Sequence, residues 1–296
     1  TANLWWGPAY RNAIVMSNAG PGFPHLDLGL GRPVGIGIGR LEGRLLWGAL
    51  AESDHFDRIA ANDRRFFVGL TLDWEPKWLP GLTLGVTRTF QTPWDSVGAH
   101  DVFAPFQSVF KNAFGAPTDP ASNDDRDQLL SLTGRWLLPE SGFEVYVEWA
   151  RNDHNLDLRD LLLEPDHSRA YTLGLAKTLP SGEGRVILRG EVTSLGRSAT
   201  FQDRAYPTYY EHYIVRQGHT HRGQMLGAAV GPGAESEFLS LDRYHARGRW
   251  GVFLQRVVYN NDFYYQNFAG TRSHDVELTA GASALRFVGS YDVVFN

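Results

Sequence analysis

Period-two alternation of apolar and polar positions runs through most of this chain. Phe143, Val145, Val147 and Trp149 fall on one face of an extended segment, with Glu144, Tyr146, Glu148 and Ala150 on the other. Phe66, Val68, Leu70, Leu72 and Trp74 oppose Phe67, Gly69, Thr71 and Asp73. Leu82, Leu84, Val86 and Phe90 oppose Thr83, Gly85, Thr87 and Thr89. Val186, Leu188, Gly190 and Val192 alternate in the same way with Ile187, Arg189, Glu191 and Thr193. Each run predicts a β-strand with one apolar face and one polar or small face. At about ten residues these runs exceed the roughly 5–6 of a globular strand. They match the roughly 9–11 with which a tilted strand crosses a bilayer. Several end in an aromatic (Trp74, Phe90, Trp149, Tyr259), as an interfacial girdle requires.

The connections follow a rhythm. Short ones fall at 41–43, 75–81, 138–141, 179–184 and 246–249, and long ones at 52–64, 92–127, 151–168, 196–235 and 260–272. Outer-membrane barrels have short periplasmic turns and long extracellular loops, whereas a soluble sandwich has no reason to alternate them. The pattern therefore predicts an all-β fold, a transmembrane antiparallel β-barrel. Hairpins at 12–31, 34–51, 65–91, 128–150, 169–195, 236–259 and 274–295 supply its strands, with room for two more in 209–227. That makes 14 strands, or 16 with those two. Within 92–127, Val102, Phe103, Phe106, Val109, Phe110 and Phe114 recur at helical spacing, predicting a short amphipathic helix that caps or plugs the mouth.

Composition narrows the class. Aromatic residues make up 13%, more than a disordered chain carries, and a formal charge of -5 argues against a nucleic-acid partner. There is no cysteine, which excludes thiol nucleophiles and cysteine-based metal sites and suits an oxidising envelope. No apolar run is long enough for a transmembrane helix. No export signal opens the chain. The strand after Tyr291 would end on an outward stroke, and a single barrel domain over 1–296 trimmed at one or both ends is the expectation.

Four stretches, in order along the chain, resemble the Wzi-like family of capsule-assembly proteins. They are WWGPAYRNAIVMSNAGPGFP (Trp5 to Pro24), EWARNDHNLDLRDLLLEPDHSRAYTLGL (Glu148 to Leu175), EHYIVRQGHTHRGQMLGAAVGPGAES (Glu211 to Ser236) and RVVYNNDFYY (Arg256 to Tyr265). The third contains a G-x-x-x-R-G-x-x-x-G core at Gly218, Arg222, Gly223 and Gly227. The resemblance implies an outer-membrane barrel that binds capsular polysaccharide and helps tether it, without enzymatic activity, and it widens the expected count to about 14–18 strands. It implies capsular or other surface polysaccharide as the partner and the outer membrane of a Gram-negative bacterium as the location. Membrane lipid, lipopolysaccharide and the barrel-assembly machinery are further expected partners.

Several candidate sites have plainer accounts. The glycine-rich stretch 29–43 has neither a phosphate-loop nor a dinucleotide context and reads as barrel wall. His219 and His221 could share a metal on a strand, but no carboxylate pair joins them, and neither metal nor cofactor is expected. Glu211, His212 and Ser236 or Ser240 lack a nucleophile elbow. The acidic loop of Asp153, Asp157, Asp160, Glu164 and Asp166 lacks the calcium-loop spacing and suits pairing with Arg151, Arg159 and Arg169.

The ligand candidates are two aromatic and amide clusters on outer loops. Tyr206, Tyr209, Tyr210, His212 and Tyr213 form one; Tyr259, Asn260, Asn261, Asp262, Phe263, Tyr264 and Tyr265 form the other. Flat rings stack on sugar faces and amides bond hydroxyls, although tyrosines also serve as interfacial girdles. Asp73, Glu144, Glu148, Arg189 and Glu191 are expected to face the lumen. The alternative function is a porin-like channel for small solutes, in which those charges select what passes.

Overall fold

The computed structural model describes residues 4–60, 62–107, 126–152, 158–198 and 207–295. One antiparallel sheet of 13 strands dominates it. Its strands are β1 (His25–Gly29), β2 (Val34–Gly35), β3 (Gly39–Ala51), β4 (Arg64–Pro76), β5 (Leu82–Pro93), β6 (Asp127–Leu138) and β7 (Phe143–Asn152). They continue, after the helix α1 (Leu158–Leu163), with β8 (Arg169–Ser181), β9 (Gly184–Ser194), β12 (Glu235–His245), β13 (Gly248–Val258), β14 (Val276–Val288) and β15 (Tyr291–Phe295). Two-residue strands β10 (Thr220–His221) and β11 (Gln224–Met225) pair separately, where the sequence left room for two wall strands.

Sequence neighbours pair throughout the sheet, so every short turn falls at one end and every long loop at the other. The turns are 77–81, 139–142, 182–183, 246–247 and 289–290. Gly142 turns the chain at φ +64, and its carbonyl accepts the amide of Thr178 on the next hairpin, so turn and sheet stiffen each other.

The wall is inverted relative to a soluble protein. Val147 is 42% exposed, Leu173 50%, Val192 43% and Leu239 57%, whereas Glu148, Thr172, Glu191 and Ser240 are each below 9%. Apolar side chains face outward and polar ones face a filled interior, as a wall bathed in lipid requires.

That interior is filled by two segments the sequence did not single out as a plug, residues 4–24 and 207–234. Trp6 bridges to Met16, so the first segment doubles back on itself. Met16 packs with Phe23, Leu46, Leu50 and Phe67, while Ile14, two residues away, packs with Leu129, Ala150, Ala170 and Val257. These partners span β3 to β13, which a flat sheet would hold roughly 38 Å apart. The sheet must therefore curl around the segment.

Three expectations are corrected. Residues 41–43 lie within β3, and the chain reverses at 36–38, where Ile36 donates to Gly39. Residues 12–24 form plug rather than the first arm of a hairpin, because their apolar side chains find partners only inside. In the described part of 92–127 the expected amphipathic helix is a pair of 3-10 turns, Trp94–Ser96 and Asp101–Phe106, the second containing Pro105, whose missing N–H cannot carry an α-helix. Val109, Phe110 and Phe114 lie outside the described residues. The described part covers Val68 and Phe90 on the outward face of the wall, and Trp47 donates its indole N–H to Val102 there.

Candidate functional site

Of the wall's interior charges, Glu148 and Glu191 hold the plug. Glu191 accepts the backbone amides of Tyr10 (2.6 Å), Arg11 (3.1 Å) and Asn12 (2.9 Å), together with the Tyr146 hydroxyl (2.7 Å). Glu148 accepts the Ile14 amide at 3.0 Å and the Ser131 hydroxyl at 2.8 Å. Thr172, between them on β8, donates to the Asn12 carbonyl at 3.0 Å. Successive backbone N–H groups aimed at one carboxylate form an anion cradle, here filled by the protein's own side chain. Tyr146, Gly174 and Glu191 stand opposite one another on β7, β8 and β9. A Cβ on Gly174 would lie 2.0 Å from the Tyr146 ring, so only glycine lets the ring cross β8 to reach Glu191. Gly69 and Gly48 likewise receive Trp6 and Phe23 of the plug.

The second plug segment is pinned in the same manner. The Tyr210 hydroxyl donates to Ile14 O at 2.5 Å and accepts the Ala228 amide at 2.9 Å. His219 stacks on that ring at 5.5 Å, and its ring nitrogens reach Val15 O at 2.6 Å and the Gln91 amide at 3.0 Å. Nε2 thus donates while Nδ1 accepts, which defines a neutral tautomer. Burial pushes the His219 ring down to about 4. Burial, aided by Arg222, does the same to His221, whose Nδ1 accepts the Ala51 amide. Arg65, buried on β4, donates to Gly218 O and Thr220 O, both at 2.8 Å, and ties this segment to the wall. The sequence signal for Arg65 was only its place at a strand's outer end.

The remaining interior charges lie toward the short-turn end and pair across strands. Glu144 meets Arg135 at 2.7 Å, Arg189 meets Asp242 at 2.8 Å, and Arg40 pairs with Glu75. Asp73 stands opposite Glu42 and lines a vestibule of about 480 Å³ with Trp5, Arg40, Arg44, Thr133 and Arg135. Among the described residues no group of three or more His, Asp or Glu is placed to hold a metal.

At the long-loop end the two predicted ligand clusters come together. Asp262, in α2 (Asn261–Asn267), accepts the Arg197 amide at 2.9 Å. The Asn261 amide donates to Gly233 O at 2.9 Å, which seats α2 on the second plug segment, and burial, with the neighbouring Asp262 charge, raises the Glu211 carboxyl. Tyr265 is 62% exposed and Tyr213 75%. Tyr264 packs 3.7 Å from the His274 ring and donates its hydroxyl to Arg272 O, while Asn261 Oδ1 holds His274 at 2.9 Å. Asn260, exposed and left-handed at φ +42, starts the helix, and the Tyr259 hydroxyl donates to Glu277 at 2.8 Å.

The structure corrects part of this set. Tyr209 and Tyr210 are interior, with 2% and 1% exposure, and offer no ring face to a sugar. His212 is buried, its Nδ1 accepting the amides of Ile214 and Val215, and Asp262 is buried as a loop tether. An aromatic-rich loop reads the same whether its rings point out or in, and only the plug decides. Tyr206 lies outside the described residues, as do Asp153 and Asp157.

The family model described as capsule assembly protein Wzi matches residues 1–286. A solved structure superposes with a TM-score of 0.70 at 15% identity, covering 99% of this chain and 62% of its own. That structure is of Wzi, an outer membrane protein involved in group 1 capsule assembly in Escherichia coli and described as a carbohydrate-binding β-barrel. The chain thus spans less than two thirds of that protein's length, and the likeness establishes the barrel fold. No curated protein matches the chain.

Proposed function

This chain belongs to the Wzi family of capsule assembly proteins, and on that premise we propose that it is an outer-membrane barrel that binds surface polysaccharide and helps retain it. The observation that carries the reading is the contrast between an interior occupied by a plug and an exposed outer ledge. The plug is bonded to the wall through Glu148, Glu191 and Arg65, while Tyr213, Tyr264 and Tyr265, with Asn260, present rings and an amide at the long-loop end. Rings with adjacent amides are the surface chemistry that sugars need. Lipid contact is part of the proposal: Trp94, Phe103 and Phe106 are exposed on the outward face beside the long loops, where aromatic residues sit at a bilayer interface. The barrel-assembly machinery and lipopolysaccharide are the partners such a wall implies.

Cells lacking the protein should make normal amounts of polysaccharide and shed more of it. Alanine at Tyr213, Tyr264 and Tyr265 together should reproduce the shedding at normal protein abundance in the membrane. Normal retention by that variant would sink the ledge as the binding surface. The porin alternative predicts steady conductance from purified protein in a planar bilayer; the plugged reading expects a closed lumen.

A further inference from the structure

Between the plug and the inner face of β13 and β14 lies a crevice of about 420 Å³, a volume in the range of small-ligand sites. The register Gln255↔Thr279 and Val257↔Glu277, with Val257 buried against the plug, puts Glu277 and Thr279 on this inner side. Phe253, Gln255, Tyr259 and Glu277 form one wall, and Arg11 and Asn18 the other. Its groups are already oriented. Glu277 accepts the Tyr259 hydroxyl at 2.8 Å on one oxygen and the Thr279 hydroxyl at 2.6 Å on the other. Gln255 accepts from Arg11 at 3.0 Å and donates to Ser236 at 3.1 Å. The Arg11 guanidinium lies 5.0 Å over Phe238 and spends one of its five N–H groups on Gln255, so the others are free to meet a sugar hydroxyl.

We propose that this crevice is a subsite for one or two neutral sugar residues of the polysaccharide. The proposal rests on the carbohydrate-binding reading above and deepens it. Each carboxylate oxygen of Glu277 keeps a lone pair beyond the one it uses, and a sugar hydroxyl donates to it. Asn18 and Gln255 bond further hydroxyls, and the Phe253 ring edges an apolar sugar face. A uronate would bring a second negative charge against Glu277, which a neutral sugar does not. Tyr259 joins the crevice to the outer ledge, since it immediately precedes Asn260 and α2. A polysaccharide lying on Tyr264 and Tyr265 would thus send a neutral end or branch inward.

The test uses the full chain in detergent and fragments of the polysaccharide extracted from the cells that express it, with binding read by calorimetry and saturation-transfer NMR. Ala19→Trp fills the crevice from the plug side, where Ala19 lines it and is half-buried. It should weaken binding about tenfold or more, and Glu277→Gln should weaken it by a smaller factor, on the scale of single interface contacts. Fragments whose uronates have been reduced to neutral sugars should bind no worse than untreated ones. Wild-type affinity in a folded Ala19→Trp variant would overturn the crevice and leave the ledge standing. A tenfold loss on uronate reduction would overturn the preference for neutral sugar. Failure of the wild-type protein to bind any fragment would remove the carbohydrate reading itself.

Discussion

The interior carboxylates of the wall fall into two groups that look alike in sequence and behave differently. Glu148 and Glu191 sit at mid-wall or above, buried, with backbone amides of residues 10–14 as their principal donors. Asp73 and Glu144 sit near the short turns, where Glu144 has an arginine partner and Asp73 faces a polar vestibule. Alternation places both groups on the same face. What separates them is a partner far away in the chain: a folded-back plug in one case, and a neighbouring strand or water in the other. A carboxylate buried among amide donors loses more when altered than one at a wet mouth, because lost hydration is recovered only through those amides.

The sharpest way to break the comparison is Glu191→Leu. It leaves the amides of Tyr10, Arg11 and Asn12 and the Tyr146 hydroxyl without their acceptor. Each orphaned buried donor costs about 1–3 kcal/mol, and partial rescue by water should leave a net loss of roughly 3–5 kcal/mol. The loss is local: the wall should remain in the membrane while residues 10–16 lose amide-exchange protection and tryptic cleavage after Arg11 accelerates. Unchanged protection there would mean that the cradle is incidental to the plug.

The fold was legible because alternation is a local signal. Val147 beside Glu148 is enough to tell outside from inside, and short turns against long loops are enough to orient the ends. The plug was not legible, because residues 13–16 carry a continuous apolar run that fits a buried strand as well as a buried irregular segment. Glu148 and Glu191 were assigned a face correctly, but their amide partners lie more than 130 positions away. The same blindness affected Tyr209 and Tyr210, whose pattern matches that of Tyr264 and Tyr265. Only the contact with Ile14 and Ala228 turns one pair inward.

Acid should sharpen the contrast from the other side of the plug. His219 is held neutral, its ring pushed down to about 4 by burial. In the unfolded segment the ring titrates near its ordinary value of roughly 6.5. Between those values the unfolded form binds more protons, so plug stability is complete above about pH 6.5 and falls as pH drops toward 4. The loss by the lower end is on the order of 2–3 kcal/mol. Exchange protection at residues 14–16 should decline across this window, and His219→Gln should reduce the decline, leaving the part contributed by His221, which burial pushes down likewise. A profile unaffected by that substitution would assign the acid sensitivity to another group.

The smallest effect is expected at the vestibule, and it completes the comparison. Asp73 stands opposite Glu42 on the neighbouring strand, so two like charges face each other across the pair. Directly opposed like charges destabilise a sheet slightly, by at most about 1 kcal/mol. Asp73→Asn removes one of them, keeps the shape of the side chain and exchanges one acceptor oxygen for an amide donor. The vestibule is open to water, which can satisfy the new amide, so no desolvated group is orphaned. Stability should therefore stay within about 0.5 kcal/mol of wild type, with any change a gain. Protection of residues 10–16 should not change at all, because Asp73 does not touch them. A loss as large as that of Glu191→Leu, or an exposed plug, would show that the vestibule and the cradle are one cooperative unit, and that the division between them is wrong.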